Sequence, residues 1–363
     1  MTRVGGGRGP GYARARATAL AATGALLALA GPASAGDGTF TRTPGDPAVG
    51  TGPFSVAVAD LNGDGRQDLV TANSTGNTVS ALLGDGAGGF SPATATGVGN
   101  GPVSVAVGDF NGDGNQDLAV ANELASTVSI LIGDGAGGFA APSTKATGSG
   151  TVSVAVGDVN GDEHQDLVTA NETADTISVL LGDGAGGFSA ATAMAAGHGP
   201  YAVALADLDG DGNLDVVTAD HTAGTVSVRL GNGTGGFGAL TAIAVGAGPF
   251  WIAVGDVTED GTADIVTANS VGDSVSVLRG DGSGGFSAAA NTAVPGAPYE
   301  VAAGDLDGDG HIDLAVARHT GNAVTILRGD GAGGFTSSTT NAVGSGATSV
   351  ASPTSTATGS GTW

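Results

Sequence analysis

The sequence predicts an all-β fold, a β-propeller of four-stranded blades, and three observations predict it. A nine-residue acidic stretch recurs so that six copies stand 49 residues apart. Four short apolar runs, separated by turn signals, fit within each interval. Glycine is abundant (69 of 363 residues) and charge is sparse (13%), which suits short strands and many turns rather than long helices. A fixed period of this length marks a repeat architecture, in which each unit buries its core against its neighbours. The repeat overrides the chain length, which alone would suggest about two domains.

The first copy reads Asp60-Leu-Asn-Gly-Asp-Gly-Arg-Gln-Asp68, and oxygen-bearing side chains stand at its positions one, three, five and nine. They are Asp60, Asn62, Asp64 and Asp68, then Asp109, Asn111, Asp113 and Asp117, then Asp158, Asn160, Asp162 and Asp166. The later copies supply Asp207, Asp209, Asp211 and Asp215, then Asp256, Thr258, Asp260 and Asp264, then Asp305, Asp307, Asp309 and Asp313. In a tight loop, alternate positions can face one centre. Hard oxygens suit a hard cation, and Ca2+ accepts six to eight of them in flexible geometry. Glycine at position six permits the sharp turn. Position seven would add a backbone carbonyl, from Arg66, Asn115, His164, Asn213, Thr262 or His311. The blander alternative is an Asx-type turn whose side chains only cap backbone amides.

An EF-hand would need a bidentate Glu at position twelve and flanking helices. Thr71 stands there instead, between Val- and Thr-rich runs, so the expectation is up to six calcium loops between strands. The fourth and sixth copies carry four carboxylates each. The third has Glu163 in place of glycine and the fifth has Thr258 at position three, so these two should bind most weakly.

Within one unit, Ser55–Ala59 reads as an inner strand, followed by the acidic loop, then Leu69–Ala72 and Thr78–Leu83. Gly84-Asp85-Gly86-Ala87-Gly88-Gly89-Phe90 is a hairpin signal. A weaker strand runs on to about Gly97. Four strands per unit match one propeller blade. The glycine-rich turn lacks the Lys-Ser/Thr and following helix of a phosphate loop. Phe90, Phe139, Phe188, Phe237, Phe286 and Phe335 repeat at the same period and should pack between blades.

Residues 1–35 read as a secretory signal peptide. Arg3, Arg8, Arg14 and Arg16 precede the apolar run Ala17–Ala30, and Ala33-Ser34-Ala35 supplies small residues for cleavage. The run is shorter than the roughly 20 residues a membrane span needs. Secretion and a propeller over 36–351 follow, and the Ser-, Thr- and Gly-rich tail 352–363 is expected to be disordered. Cysteine is absent, so bound metal would serve as the brace that disulfides provide elsewhere. The formal charge is −24, and most of the acidity falls in the loops. Nucleic acid and anionic membranes are not expected partners, since phosphate binding needs clustered Lys or Arg.

The acidic loop together with Gly-Asp-Gly-x-Gly-Gly-Phe resembles the FG-GAP/VCBS-type repeat, across about residues 40 to 352. The resemblance implies a propeller similar to the calcium-bearing one of integrin α chains. It also implies that the calcium loops share one face, with ligand contacts on the other. The family pattern commonly has seven blades, whereas six full units are present here. Ser349-Val350-Ala351 begins a seventh and Phe40 to Gly50 resembles a last strand, so the two termini would give a partial seventh blade.

The loops of the opposite face are mostly small, except in units four to six. Tyr201, Phe250 and Tyr299 share one repeat position, followed by Trp251 and Glu300, while His221, Arg318 and His319 fall in the loop between strands two and three. Aromatic and polar groups in a concavity suit a sugar or peptide. Equally, the aromatics could plug the funnel as core, and Arg318 and the histidines could be solvated. The leading expectation is a non-catalytic binding or adhesion module for a glycan or an extracellular protein. An extracellular polysaccharide lyase or hydrolase, and a calcium-dependent assembly protein, are the alternatives. No Ser-His-Asp or zinc spacing is visible, and an enzyme would have to draw on His221, His319, Tyr201, Tyr299 and Glu300.

Overall fold

The computed structural model describes residues 47–343 and 346–350. The signal peptide, most of the Phe40–Gly50 segment and the tail 352–363 lie outside the described residues. Six antiparallel sheets of four strands follow the repeat, each with its strands in sequence order. The first blade comprises Pro53–Ala59, Asp68–Asn73, Thr78–Leu82 and Thr94–Gly97, and the sixth Pro298–Gly304, Asp313–Arg318, Ala323–Gly329 and Phe335–Ala342. The partial seventh blade expected from the termini forms no sheet among the described residues.

The middle strands are buried on both faces, so they lack polar–apolar alternation and place a short apolar stretch between hydrogen-bonded polar residues, as in Asp68-Leu-Val-Thr-Ala-Asn73. Strand alternation sends Val56, Val58, Leu69 and Leu82 to the face toward the preceding blade position. Ala59, Val70, Ala72, Val79 and Ala81 go to the other face, against Val105, Leu118 and Leu131 of blade two. Large side chains thus meet small ones at each interface. Every buried Val or Leu contributes about 1.5–3 kcal/mol relative to exposure. Phe139, Phe188, Phe237, Phe286 and Phe335 lie in the same interfaces.

Each inner strand starts with a bulge. Pro53 pairs with Asn73 and Ser55 with Ala72, leaving Phe54 unmatched between them. Proline is tolerated at a strand's first residue or a bulge, and a bulge re-aims the side chain it carries. Pro102, Pro200, Pro249 and Pro298 repeat this start. The unmatched residue therefore turns to the ring axis, which is where Tyr201 and Phe250 line a central cavity.

Buried polar side chains tie the second and third strands together. Asn73 donates to Ser80 Oγ at 2.9 Å and accepts from Thr71 Oγ1 at 3.1 Å. Asn122, Asn171 and Asn269 repeat the bond to the serine. Blade four carries Asp220, whose buried carboxylate accepts from Thr218, Thr225 and Ser227. Blade six carries Arg318.

Inner strands of successive blades adjoin from the first blade to the sixth. Blades six and one do not merge in the same way. Ala302, Ala315, Ala317, Val324 and Ile326 of blade six form one cluster, and Val56, Val58, Leu69 and Leu82 of blade one form another. Residues 347–350 stand between them. Val350 packs on blade six and donates its N–H to Glu300 Oε2 at 3.3 Å, while the N–H of Val56 donates to Ser349 Oγ at 3.3 Å. The same bond joins full blades three and four, where the N–H of Val203 donates to Ser153 Oγ at 3.3 Å. Ser349 and Val350 thus keep an inner-strand register without forming a strand.

Burial pushes the Glu300 carboxyl up to about 8 from 4.5. A raised folded-state value means that the folded chain holds the proton longer than the unfolded chain. The associated stability is full below about pH 4.5 and is lost as pH rises through about 8. Thermal unfolding between pH 5 and 9 should therefore show a decline on the order of 3 kcal/mol. Glu300→Gln should flatten it, and parallel curves for the two proteins would contradict this role.

Candidate metal loops and the opposite face

Each acidic loop joins the inner strand to the second strand of its blade. Position nine begins the second strand and is fully buried in all six blades. Its two carboxylate oxygens have fixed partners. In blade two, Asp117 accepts from the N–H of Phe110 at 2.8 Å and from the N–H of Gly133 at 2.7 Å. Asp68, Asp166, Asp215, Asp264 and Asp313 make the equivalent pair of bonds, at 2.7 to 3.1 Å. One residue thereby fastens the loop, the second strand and the glycine-rich turn. Spacing marked position nine as a ligand and gave no sign of this second role.

The remaining positions form the rim. Asp60 accepts from the N–H of Gly65 at 2.7 Å, Asn62 from Asp64 at 3.1 Å, and Asp64 from Arg66 at 2.9 Å. Position one makes the same bond in Asp109, Asp158, Asp207, Asp256 and Asp305. Position five makes it in Asp113, Asp162, Asp211, Asp260 and Asp309, with Asn115, His164, Asn213, Thr262 and His311 as donors. The self-capping expected of Asx turns is therefore present. It leaves lone pairs on every carboxylate, so capping and metal ligation are compatible.

The donor set fits a hard cation. Oxygens of Asp207, Asp209 and Asp215 lie within 4.8 Å of one another, as do those of Asp305, Asp307 and Asp309. These are the two loops with aspartate at position three. Asn111 and Asn160 occupy that position in loops two and three. Glu163 takes φ 66° where other loops use glycine, a strained conformation for a side chain. In the fifth loop Thr258 is buried, its N–H donates to Asp264 at 2.9 Å, and position three offers a hydroxyl in place of a carboxylate or amide oxygen.

Charge is tuned in opposite directions within a loop. The amide of Asn115 holds Asp113 below the usual carboxylate range, and that of Asn213 does the same for Asp211. Burial pushes Asp166 and Asp215 at position nine up to about 6. Position five of these loops favours charge and position nine resists it, an arrangement that a bound cation would relieve.

The opposite face gathers most of the expected aromatic and imidazole groups. Tyr201 and Phe250 have ring centroids 4.0 Å apart, Phe250 and Tyr299 4.2 Å, and Tyr299 and His319 4.4 Å at an interplanar angle of 9°. His221 flanks this stack 6.0 Å from both Tyr201 and Phe250. Burial lowers the pKa of both histidines, which favours neutral rings. Trp251 packs against the cores of blades five and six, and Glu300 is buried against Val350. Arg318 is the last residue of a second strand rather than a loop residue, and it donates to Thr325 Oγ1 at 3.2 Å. The axial cavity beside Phe54, Tyr201, Phe250 and Glu300 holds about 10 Å³, room for about one water.

The FG-GAP-like repeat pattern matches residues 33–71, 60–120, 109–169, 158–218, 207–267, 256–316 and 305–357. The chain belongs to the FG-GAP-like repeat family. No curated protein matches the sequence. Among solved structures, a Lactobacillus plantarum protein is 12% identical with a TM-score of 0.63, over 84% of this chain and 89% of that one. A lectin of Agrocybe aegerita, described for recognition of non-reducing terminal N-acetylglucosamine, is 19% identical with a TM-score of 0.52, over 79% of each chain. Virginiamycin B lyase from Staphylococcus aureus with quinupristin is 13% identical with a TM-score of 0.54, over 79% of this chain and 84% of that one. At these identities the likeness is one of fold.

Asp117→Ala should cost about 4 kcal/mol in denaturant unfolding, because it strands two buried amide donors. Most of the loss should persist in EGTA, and calcium should add to it, because position nine is also a candidate ligand. Asn111→Ala should weaken the protein only when calcium is present. A cost for Asp117→Ala that vanishes in EGTA would contradict the fastening role.

Proposed function

We propose that this chain is a secreted, non-catalytic propeller, stabilised by calcium, that binds a glycan or an extracellular protein on the face opposite its acidic loops. The Arg-rich, then apolar, then small-residue N-terminus supports secretion. Hard-oxygen loops with converging aspartates support calcium, for which such sites fit best. The observation that carries the binding reading is the stack of Tyr201, Phe250, Tyr299 and His319 across blades four to six. It sets partly exposed aromatic rings and an imidazole around the buried Phe250 on a face that also exposes Leu124 and Val271. Aromatic rings with few polar groups are what sugar and peptide surfaces use.

The groups an enzyme would need are held in the aromatic stack or in the core. His319 lies in the stack, His221 flanks it, and Glu300 accepts from a backbone amide inside the core. This arrangement supports binding over acid–base turnover. The lectin of similar fold offers a precedent for glycan recognition on a propeller.

Glycan and protein arrays probed with the purified chain in calcium should return a ligand class. Tyr299→Ala and His319→Ala should each weaken that binding by about tenfold or more, equivalent to at least about 1.4 kcal/mol. Binding unchanged in both variants would sink the proposed surface. Release of reducing ends from a polysaccharide, lost in His319→Ala, would overturn the non-catalytic reading.

A further inference from the structure

One repeat position changes chemistry along the ring. It is Leu83, Ile132, Leu181 and Leu230 in blades one to four, and Arg279 and Arg328 in blades five and six. The aliphatic residues pack beneath the glycine turn of the following blade. A Cβ added to Gly137, Gly186, Gly235 or Gly284 would meet their side chains at 2.6 to 3.1 Å. No following turn stands over Arg328 among the described residues. Its guanidinium instead reaches the acidic loop of its own blade, with Nη1 2.6 Å from Asp307 Oδ2. The Asp307 side chain is only 9% exposed, while that of Arg328 is 41% exposed, so water reaches the pair from the arginine side alone. Asp307 is position three of the sixth loop and one of its three converging aspartates. The fourth loop has the same four carboxylates, yet its corresponding residue is the uncharged Leu230.

We propose that Arg328 is a built-in counter-ion of the sixth loop. It supplies part of the neutralising charge that calcium supplies elsewhere. The sixth loop therefore holds calcium more weakly than the fourth and keeps its shape without it. The inference rests on the calcium reading of the loops and divides two sites that their ligand sets alone would rank equally. A second link supports a loop braced by protein groups. His311, at position seven of the sixth loop, contacts Glu259 of the fifth loop at 2.9 Å. The arc holding Tyr299 and His319 would then stay ordered when calcium is withdrawn.

Calorimetric titration of calcium chloride into the chelator-treated chain tests the proposal. Arg328→Leu installs the residue that blades one, three and four carry, and the side chain it replaces is partly exposed. Removing a unit positive charge beside a divalent site should raise one affinity by at least about tenfold. Arg328→Lys should titrate as the parent does, and Asp209→Asn should weaken the tightest site of the parent toward the loops that carry asparagine at position three. Hydrogen exchange in EGTA should show amides 308–311 better protected than amides 210–213. Identical calcium titrations for the parent and Arg328→Leu would overturn the proposal, as would equal exchange in the two loops. Absence of calcium binding in both proteins would instead overturn the calcium reading beneath it.

Discussion

A fully buried aspartate opens the second strand of every blade, and the rest of the structure depends on how its charge is accommodated. Its carboxylate accepts one amide from the acidic loop and one from the glycine-rich turn, which stand on either side of it in space. Burying a carboxylate without partners is very unfavourable, so the two amide bonds are coupled to folding. The same bonds set the exit angle of the loop from the inner strand. The rim carboxylates are brought to one centre as a consequence, since each accepts an amide two to five residues further along the loop.

Blade packing then fixes what the other face can present. Small residues on one side of a blade receive Val and Leu from the next, and the inner strands are drawn together around the axis. The bulge after the first proline sends one residue of each blade toward that axis. Where that residue is Val103 or Val152, it is simply buried. Tyr201, Phe250 and Tyr299 occupy that position in three consecutive blades, and their rings pack in a row as far as His319. The aromatic row thus follows from ring geometry combined with the residue type at one repeat position.

Much of this was legible in the residues. The constant period located the strands to within a residue or two, and it placed the oxygen donors in six equivalent loops. The family resemblance agreed with the fold that the period implied. Other features were hidden for physical reasons. Spacing cannot separate a carboxylate that faces a cation from one that faces two backbone amides, so the fastening role of Asp117 was not visible. The bulge had a signal in the repeated prolines, but pairing register was needed to see which residue it released. Arg318 looked like a loop residue because its apolar equivalents are absent; its position is that of Asn73 and Asn122 at a strand end. The role of Arg328 depends on the neighbour of blade six in space, which a single repeat unit does not encode.

The central claim is that the acidic loops couple calcium to the folding of the blades. Thermal unfolding in calcium, in magnesium and in EGTA tests it most directly. A ligand that binds only the folded chain stabilises it by mass action. The account predicts a melting temperature several degrees higher in calcium than in EGTA, by about 4 °C or more at saturating ion, with magnesium giving little of the gain. Superimposable transitions in calcium and EGTA would contradict it and would leave the loops as self-capped turns.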